Sequence, residues 1–556
     1  MPSHLRSALL HGLAAAVSLL LGASPALASI TGPVRIESGL IQGAPAHDPS
    51  ITVFKGVPYA AAPVGDLRWR PPAKPVAWTG VRKADAFGDV CPQLQNPAAE
   101  PMSEDCLFAN IWTGAATPGE RRPVLVWVHG GGFGAESGSA PKLDGEELAK
   151  KGVILVTFNY RLGPLGFLAT PELSQESGHN ASGNYGLMDD IALLQWVKRN
   201  IAAFGGDPDK VTLFGHSAGG GTVNFLSISP MAKGLYNQAL AESQVRWPKD
   251  LELRYLSSSW REKSKAEKDG AAYAEKLGGK SLAELRAMPW KSLLLETPNT
   301  EVEVYTGGTG RPPLFRPVID GYVLPRTFSQ AFAEKAQNPV TYIAGNNRDE
   351  GGAAPEGIWA KLRAPGAPKP EITRGSPRQV ATLADFQAAA RGKFGPMADE
   401  FLKLYPAAND DDAARANNDA IHDNSQISTY LWARQWTHDT GKPMYTYWWA
   451  HATPGPDHDT RGAYHGSEIF YVFNSLDKVD LPWTDEDRKV ADQMSSYWAN
   501  YAKTGDPNGP GLPSWPKFDA KTPRVMVLGD GVGPIPIASG PKYDFWTRFF
   551  ATNDAW

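Results

Sequence analysis

The chain has 556 residues, 42% of them hydrophobic, with 55 Lys and Arg against 59 Asp and Glu and a formal charge of −4. This near balance offers no basic face for nucleic acid, and the length admits several domains without requiring them. Aromatic residues make up 10%, with 18 Trp, which fits a large packed core and aromatic-lined clefts.

Met1 to Ala28 reads as a secretory leader. Arg6 gives a positive start, Ala8 to Leu21 is mostly apolar, and Ala26-Leu27-Ala28 is a small-x-small cleavage pattern. The competing reading is an N-terminal membrane anchor, for which the apolar run is short. No later segment approaches spanning length, so a secreted or periplasmic chain beginning near Ser29, with no stable membrane anchor, is expected. The two cysteines are Cys91 and Cys106. In an oxidising compartment a disulfide between them is expected in preference to two free thiols. A metal-ligand reading lacks a nearby His, since the loop between them has none.

Val34 to Tyr59 reads as short strands, Val34-Arg35-Ile36, Gly39-Leu40-Ile41 and Ile51-Thr52-Val53-Phe54. An antiparallel meander at the edge of a sheet is expected there. Pro58, Pro63, Pro71 and Pro72 then enforce extended, non-helical chain toward Cys91. Val124-Leu125-Val126-Trp127-Val128 is a continuous apolar run, as in a strand buried on both faces, and it ends in His129-Gly130-Gly131-Gly132-Phe133. A helical stretch near Gly145 to Lys151 precedes a second such run, Val153 to Phe158. Tyr185 to Ala203 carries Leu187, Ile191, Leu194, Val197 and Ile201 at helical spacing, and Gly205-Gly206-Asp207-Pro208 stops it. Strands alternating with helices imply a mostly parallel α/β sheet.

Val211-Thr212-Leu213-Phe214 then runs straight into Gly215-His216-Ser217-Ala218-Gly219. A short buried strand would deliver Ser217 to a sharp turn, with glycines where strand and following helix crowd together. Taken alone, the same residues also describe a glycine-rich connection whose serine caps the helix, so the motif needs context. From Trp247 to Pro313 the chain is charged and helical, with a capping box at Ser281-Leu282-Ala283-Glu284. Val340 to Gly345 and Tyr445 to Trp448 resume strand character. Between them, polar Pro/Ala-rich sequence from Gly352 to Asn424 suggests helical excursions over the catalytic face, and Asp410-Asp411-Asp412 a solvated helix start rather than a metal site. There is no internal repeat and no linker separating independent domains.

Taken together, the glycine-rich loops supply that context. The chain carries Phe54-Lys55-Gly56-Val57-Pro58-Tyr59-Ala60, Ser103-Glu104-Asp105-Cys106-Leu107, Gly130-Gly131-Gly132-Phe133 and Asn159-Tyr160-Arg161. It continues with Gly183-Asn184-Tyr185-Gly186, Phe204-Gly205-Gly206-Asp207-Pro208 and the Ser217 turn. Later come Gly345-Asn346-Asn347-Arg348-Asp349-Glu350-Gly351, His465-Gly466-Ser467-Glu468 and Thr504-Gly505-Asp506-Pro507-Asn508. In this order they resemble the type-B carboxylesterase/lipase family, which includes the cholinesterases, over nearly the whole mature chain.

The resemblance implies an α/β-hydrolase fold, a large mostly parallel sheet flanked by helices, as one domain over residues 29–556. It implies a serine carboxylic-ester hydrolase working through an acyl-enzyme on a small-molecule ester, with no cofactor and no metal. Ser217 would be the nucleophile, His465 the base and Glu350 the acid that orients it, with Asp349 the alternative acid. Backbone amides of Gly131, Gly132 and Ala218 would form the oxyanion hole. The rival histidines His451 and His458 lie in or beside a polar loop and match no motif.

The sequence also departs from the family. His216 stands where many members carry an acid, and Ala241-Glu242-Ser243-Gln244-Val245 replaces a commoner Ser-Gly ending. Ser243 is a candidate partner of the acid, and Trp247 is either acyl-pocket lining or core. Adhesion-type relatives lose a triad member, whereas all three residues are present here. A lipase would want a long apolar lid, but the loop from Cys91 to Cys106 is short and polar, with Gln93, Asn96, Glu100, Ser103 and Glu104. Amide cleavage on the same triad stays open, as does the oligomeric state.

Overall fold

The computed structural model describes residues 30, 32–96, 99–254, 256–279, 281–295, 313–350, 382–455 and 458–556. The expected leader lies outside them, as does part of the polar stretch after Gly351. Among the described residues eleven strands form the main sheet. In chain order they are β1 (Ala44–Pro45), β2 (Thr52–Pro58), β3 (Phe108–Thr113), β4 (Arg122–Val128), β5 (Ile154–Phe158) and β6 (Gly206–His216). The remainder are β7 (Gln238–Glu242), β8 (Thr341–Asn347), β9 (Met444–Trp449), β10 (Arg524–Leu528) and β11 (Gly533–Pro536). Across the sheet the order is β11-β10-β9-β8-β7-β6-β4-β5-β3-β2-β1. The strands from β10 to β5 are mutually parallel, and antiparallel pairs close both edges.

The continuous apolar runs are the strands of the sheet's middle. Val124, Leu125 and Val126 of β4 are fully buried, as are Ile154, Leu155 and Val156 of β5, because helices cover both faces of a parallel sheet. The register places the functional ends side by side: Val128 lies opposite Gly215, His216 opposite Glu242, and Glu242 opposite Gly345. The glycine loop, the Ser217 turn and the Glu350 loop therefore leave the sheet at one edge, the carboxyl ends of its strands, where ligand sites of α/β sheets form.

The meander expected at the N-terminus is only partly formed. Val34–Ile36 and Gly39–Gln42 do pair antiparallel, but in a separate three-stranded sheet completed by Val81–Lys83. Trp78 Nε1 donates to Leu40 O at 2.8 Å beside that third strand. The ladder that would have met β2 is thus already filled. Only β1 and β2 join the main sheet.

The helix of Tyr185–Asn200 passes into a short 3-10 turn, Ile201–Phe204, closed by Gly205 at φ 82°. Ser281 and Glu284 make the expected reciprocal cap. Asp410, Asp411 and Asp412 form the first turn of Asp410–Thr440, with the Asn409 side chain accepting from the Asp412 amide, a placement that suits carboxylates at a helix N-terminus. That helix packs with Leu383–Phe394 and Ala398–Leu404 through Phe386, Phe394 and Phe401.

Cys91 and Cys106 are joined in a disulfide with Cα atoms 5.0 Å apart. Closing this loop should contribute roughly 3 kcal/mol on the chain-entropy model. A lower Tm after reduction is expected, with a cross-linked peptide pair in a non-reduced digest. Two free thiols in that digest would contradict it.

Candidate active site

Ser217 sits between β6 and the helix Ala218–Leu226 at φ 56°, ψ −122°, and its side chain caps nothing. This sparsely populated backbone conformation is held from both sides. The Ser217 amide donates to Glu242 O at 3.1 Å, and Ser217 O accepts from the Gly221 amide at 2.8 Å. A Cβ at residue 219 would lie 1.9 Å from Val128 O, so glycine is required for the helix to start this close to the sheet. The helix-cap reading of the motif is therefore replaced by a strained turn that presents the serine.

His465 and Glu350, 115 residues apart, meet through His465 Nδ1 and Glu350 Oε2 at 2.5 Å. Glu350 Oε1 accepts from the Asn347 amide at 3.0 Å. Burial pushes the Glu350 carboxyl up, but the charge and hydrogen bond of His465, the Asn347 amide and Arg246 outweigh it and hold it below the usual range. The His465 ring lies 4.3 Å from that of His216, the residue before the serine. Ser217 Oγ and His465 Nε2 are both buried, and neither has a hydrogen-bond partner among the described residues. The alternative acid, Asp349, takes the Ala463 amide at 2.8 Å and Arg348 Nε at 3.0 Å instead. His451 lies between Asp487 and Asp530, and His458 holds the Thr453 carbonyl.

The glycine loop lies against the serine, for a Cβ at residue 130 would be 3.2 Å from Ser217 Cβ. Gly131 has φ 87°, and a Cβ there would lie 2.0 Å from Ala135 O. The loop's carbonyls are taken in turn: His129 O by Tyr160 Oη at 3.0 Å, Gly131 O by the Gly134 amide at 3.0 Å, and Phe133 O by the Gly163 amide at 2.7 Å. Buried Arg316 donates to Gly132 O. The bond to Gly131 O fixes the peptide unit that carries the Gly132 N–H, and Tyr160 Oη reaches Gly130 O, of the unit that carries the Gly131 N–H, at 3.4 Å. The amide of Ala218 opens a helix, where N–H groups have no intrahelical acceptor. A cleft adjoins the loop, lined by Gln93, Leu94, Phe133, Leu295, Phe315 and Arg316 among others.

A model of the Carboxylesterase family matches residues 31–546. The chain belongs to the carboxylesterase family. It is 34% identical over 542 residues to the fumonisin B1 esterase of Sphingopyxis macrogoltabida, covering 94% of this chain and 91% of that one. It is 31% identical over 538 residues to the para-nitrobenzyl esterase of Bacillus subtilis (strain 168), covering 94% and 99%. A solved PNB esterase superposes with a TM-score of 0.72 at 29% identity, over 93% of this chain and all of that one. The fold is that of the α/β-hydrolases, and the protein is a carboxylic-ester hydrolase whose family acts on small esters.

In this carboxylesterase the departures from the family pattern gather behind the histidine. His216 Nε2 is 3.6 Å from Glu468 Oε1. Glu468 is fully buried and also accepts from Asn347 Nδ2, and burial pushes its carboxyl up to about 8. Glu242, buried beside it, is pushed up by burial and by Glu468 in turn, although Trp498 Nε1 donates to it at 2.9 Å. Ser243 is not a partner of the acid. Its amide bonds Gly345 O at 2.8 Å, while its hydroxyl is buried with no hydrogen bond among the described residues. Trp247 is half-buried and packs against the core, its ring centroid 6.4 Å from that of Phe332.

Sequence reasoning gave Glu468 no role and missed Arg316. The first stands in the His-Gly-Ser-Glu motif, so its position was visible. The second has no local signal, since Gly132 and Arg316 meet only in the folded chain. Among the described residues no group of three or more His, Cys, Asp or Glu is arranged to hold a metal ion, and no helix is long and apolar enough to cross a membrane.

Proposed function

We propose that this carboxylesterase is a secreted or periplasmic serine hydrolase of small soluble esters that works through an acyl-enzyme. The observation that carries the reading is the His465–Glu350 contact of 2.5 Å set against the Ser217 turn. His465 Nδ1–H donates to Glu350, which leaves Nε2 to take the proton from Ser217 Oγ as it attacks the ester carbonyl. Negative charge then builds on the carbonyl oxygen, and the amides of Gly131, Gly132 and Ala218 are the donors aimed at it. His465 returns the proton to the leaving alcohol, and water completes the cycle by the reverse path. Hydrolysis of chromogenic esters of graded acyl length, with stoichiometric labelling of Ser217 by an organophosphate, tests this. N-terminal sequencing of exported protein, with Ser29 expected first, tests the leader.

The enzyme should not favour choline esters. A quaternary ammonium is recognised by aromatic faces, Trp above all. In the cholinesterases, by resemblance, the key Trp lies in the loop closed by the first disulfide. Here Pro92 to Asp105 has no Trp, Tyr or Phe, and His216 replaces the acid that would add Coulombic attraction. A desolvated cation–π contact is worth about 2 kcal/mol, or roughly thirtyfold in kcat/KM. A choline ester and its uncharged tert-butyl analogue should therefore be hydrolysed with similar kcat/KM. A preference for the charged ester above about tenfold that persists at high salt would overturn this.

A further inference from the structure

The loop closed by Cys91 and Cys106 turns Gln93 and Glu100 onto the segment that follows the glycine loop. Gln93 is buried, and its amide takes both backbone groups of Glu136. Gln93 Oε1 accepts from the Glu136 amide at 2.8 Å, and Nε2 donates to Glu136 O and to Cys91 O, each at 3.0 Å. Glu136 is a non-glycine residue held at φ 73°. Gln95 bridges Ala135. Glu100 accepts from two hydroxyls at once, Ser137 Oγ at 2.6 Å and Ser139 Oγ at 2.5 Å. Its own backbone is fixed by Asn96, which donates to Glu100 O at 2.6 Å and accepts from its amide at 3.2 Å.

The segment so held is the one on which Gly131 rests. Ala135 O occupies the space a Gly131 side chain would need, and the Gly134 amide bonds Gly131 O at 3.0 Å. A shift of residues 134 and 135 therefore reaches Gly131, against which Ala135 O lies, and the peptide unit that carries the Gly132 N–H, whose carbonyl the Gly134 amide holds. We propose that Gln93 and Glu100 are positioning residues that act through residues 134–139 to hold the oxyanion-binding amides in place, with the disulfide closing the loop that carries them. The proposal rests on the assignment of Gly131 and Gly132 made above. Its physical basis is that a site placed loosely by about 1 Å can lose on the order of a hundredfold in rate with its residues all present.

The two residues differ in a way that makes the test clean. Gln93 borders the cleft beside the glycine loop and could touch substrate, whereas Glu100 does not line it. Glu100→Ala and Gln93→Leu are measured with 4-nitrophenyl acetate, with kcat expressed per serine titrated to completion by an organophosphate. The inhibition constant of a trifluoromethyl ketone, whose adduct carries an oxyanion, is measured alongside.

Glu100→Ala is expected to lower kcat about tenfold, and Gln93→Leu about thirtyfold, with KM within about threefold and the titre unchanged. Ketone affinity should fall in step with kcat/KM. Glu100→Gln, which keeps one acceptor oxygen, should recover most of the rate. A merely structural role would lower Tm and the titre but leave kcat per titrated serine intact. The double substitution Ser137→Ala with Ser139→Ala removes the same bonds from the other side and stands in should Glu100→Ala fail to fold. If kcat per serine stays within about twofold of wild type in these variants while Ser217→Ala is inactive, the positioning role is overturned and the oxyanion assignment survives. If Ser217→Ala keeps turning over, the assignment beneath it fails instead.

Discussion

Ser217→Ala should lower kcat for any ester substrate by roughly five to six orders of magnitude while leaving the protein folded. The loss is large because the substitution removes the proposed nucleophile outright. The fold should survive because Ser217 Oγ makes no hydrogen bond among the described residues and caps no helix, so its removal orphans no partner. Alanine keeps the Cβ, so the strained turn at φ 56° meets the same backbone sterics. An unchanged far-UV spectrum and melting transition should accompany the loss of turnover and of organophosphate labelling. Residual activity should not exceed what oriented binding and the oxyanion amides provide without a nucleophile. Labelling of a different serine, together with an active Ser217→Ala protein, would move the nucleophile elsewhere.

The parts of this architecture written in local sequence were legible, and those written in contacts between distant segments were not. Val124 to Val128 and Val153 to Phe158 announce buried parallel strands because apolar runs need both faces covered. Gly219 is required by the 1.9 Å approach of Val128 O, so the Ser217 turn carries its own signature. The Glu350–His465 pairing spans 115 residues, so motif positions rather than spacing point to it. Arg316 on the Gly132 carbonyl and His216 beside Glu468 have no local periodicity to betray them. The separate sheet of Val34–Ile36 with Val81–Lys83 shows the same limit. Alternation identifies a strand, but its partner is decided by which ladder other residues have already filled. Ser243 fails as partner of the acid for a related reason. Its amide is committed to Gly345 O at the end of β8, and its hydroxyl makes no bond to Glu350.

Glu350→Gln should cut kcat by about four orders of magnitude with little change in KM. Two hydrogen bonds to one carboxylate decide the outcome. Glu350 Oε1 accepts from the Asn347 amide at 3.0 Å, and Oε2 accepts from His465 Nδ1 at 2.5 Å. A glutamine there has one acceptor and one donor to share between the same neighbours. The Asn347 N–H is a fixed donor, so the amide oxygen must face it, and the NH2 group is left facing His465. Nδ1 then becomes the acceptor and the ring proton moves to Nε2, the atom that receives the proton of Ser217 in the proposed mechanism. The pH profile separates this from simple loss of charge. Glu350 is held below the usual carboxylate range, so its anion, favoured by the fold, is complete above that range and is lost only as pH falls through the lowered value. Above that range the plateau of kcat/KM should therefore stay depressed in the variant, because the tautomer is wrong at every pH. Asp349→Asn should instead leave kcat per titrated serine near wild type, because the Asp349 carboxylate is engaged with the Ala463 amide and Arg348. Near-normal turnover in Glu350→Gln would transfer the acid role to Asp349, and Asp349→Asn would then have to show the loss.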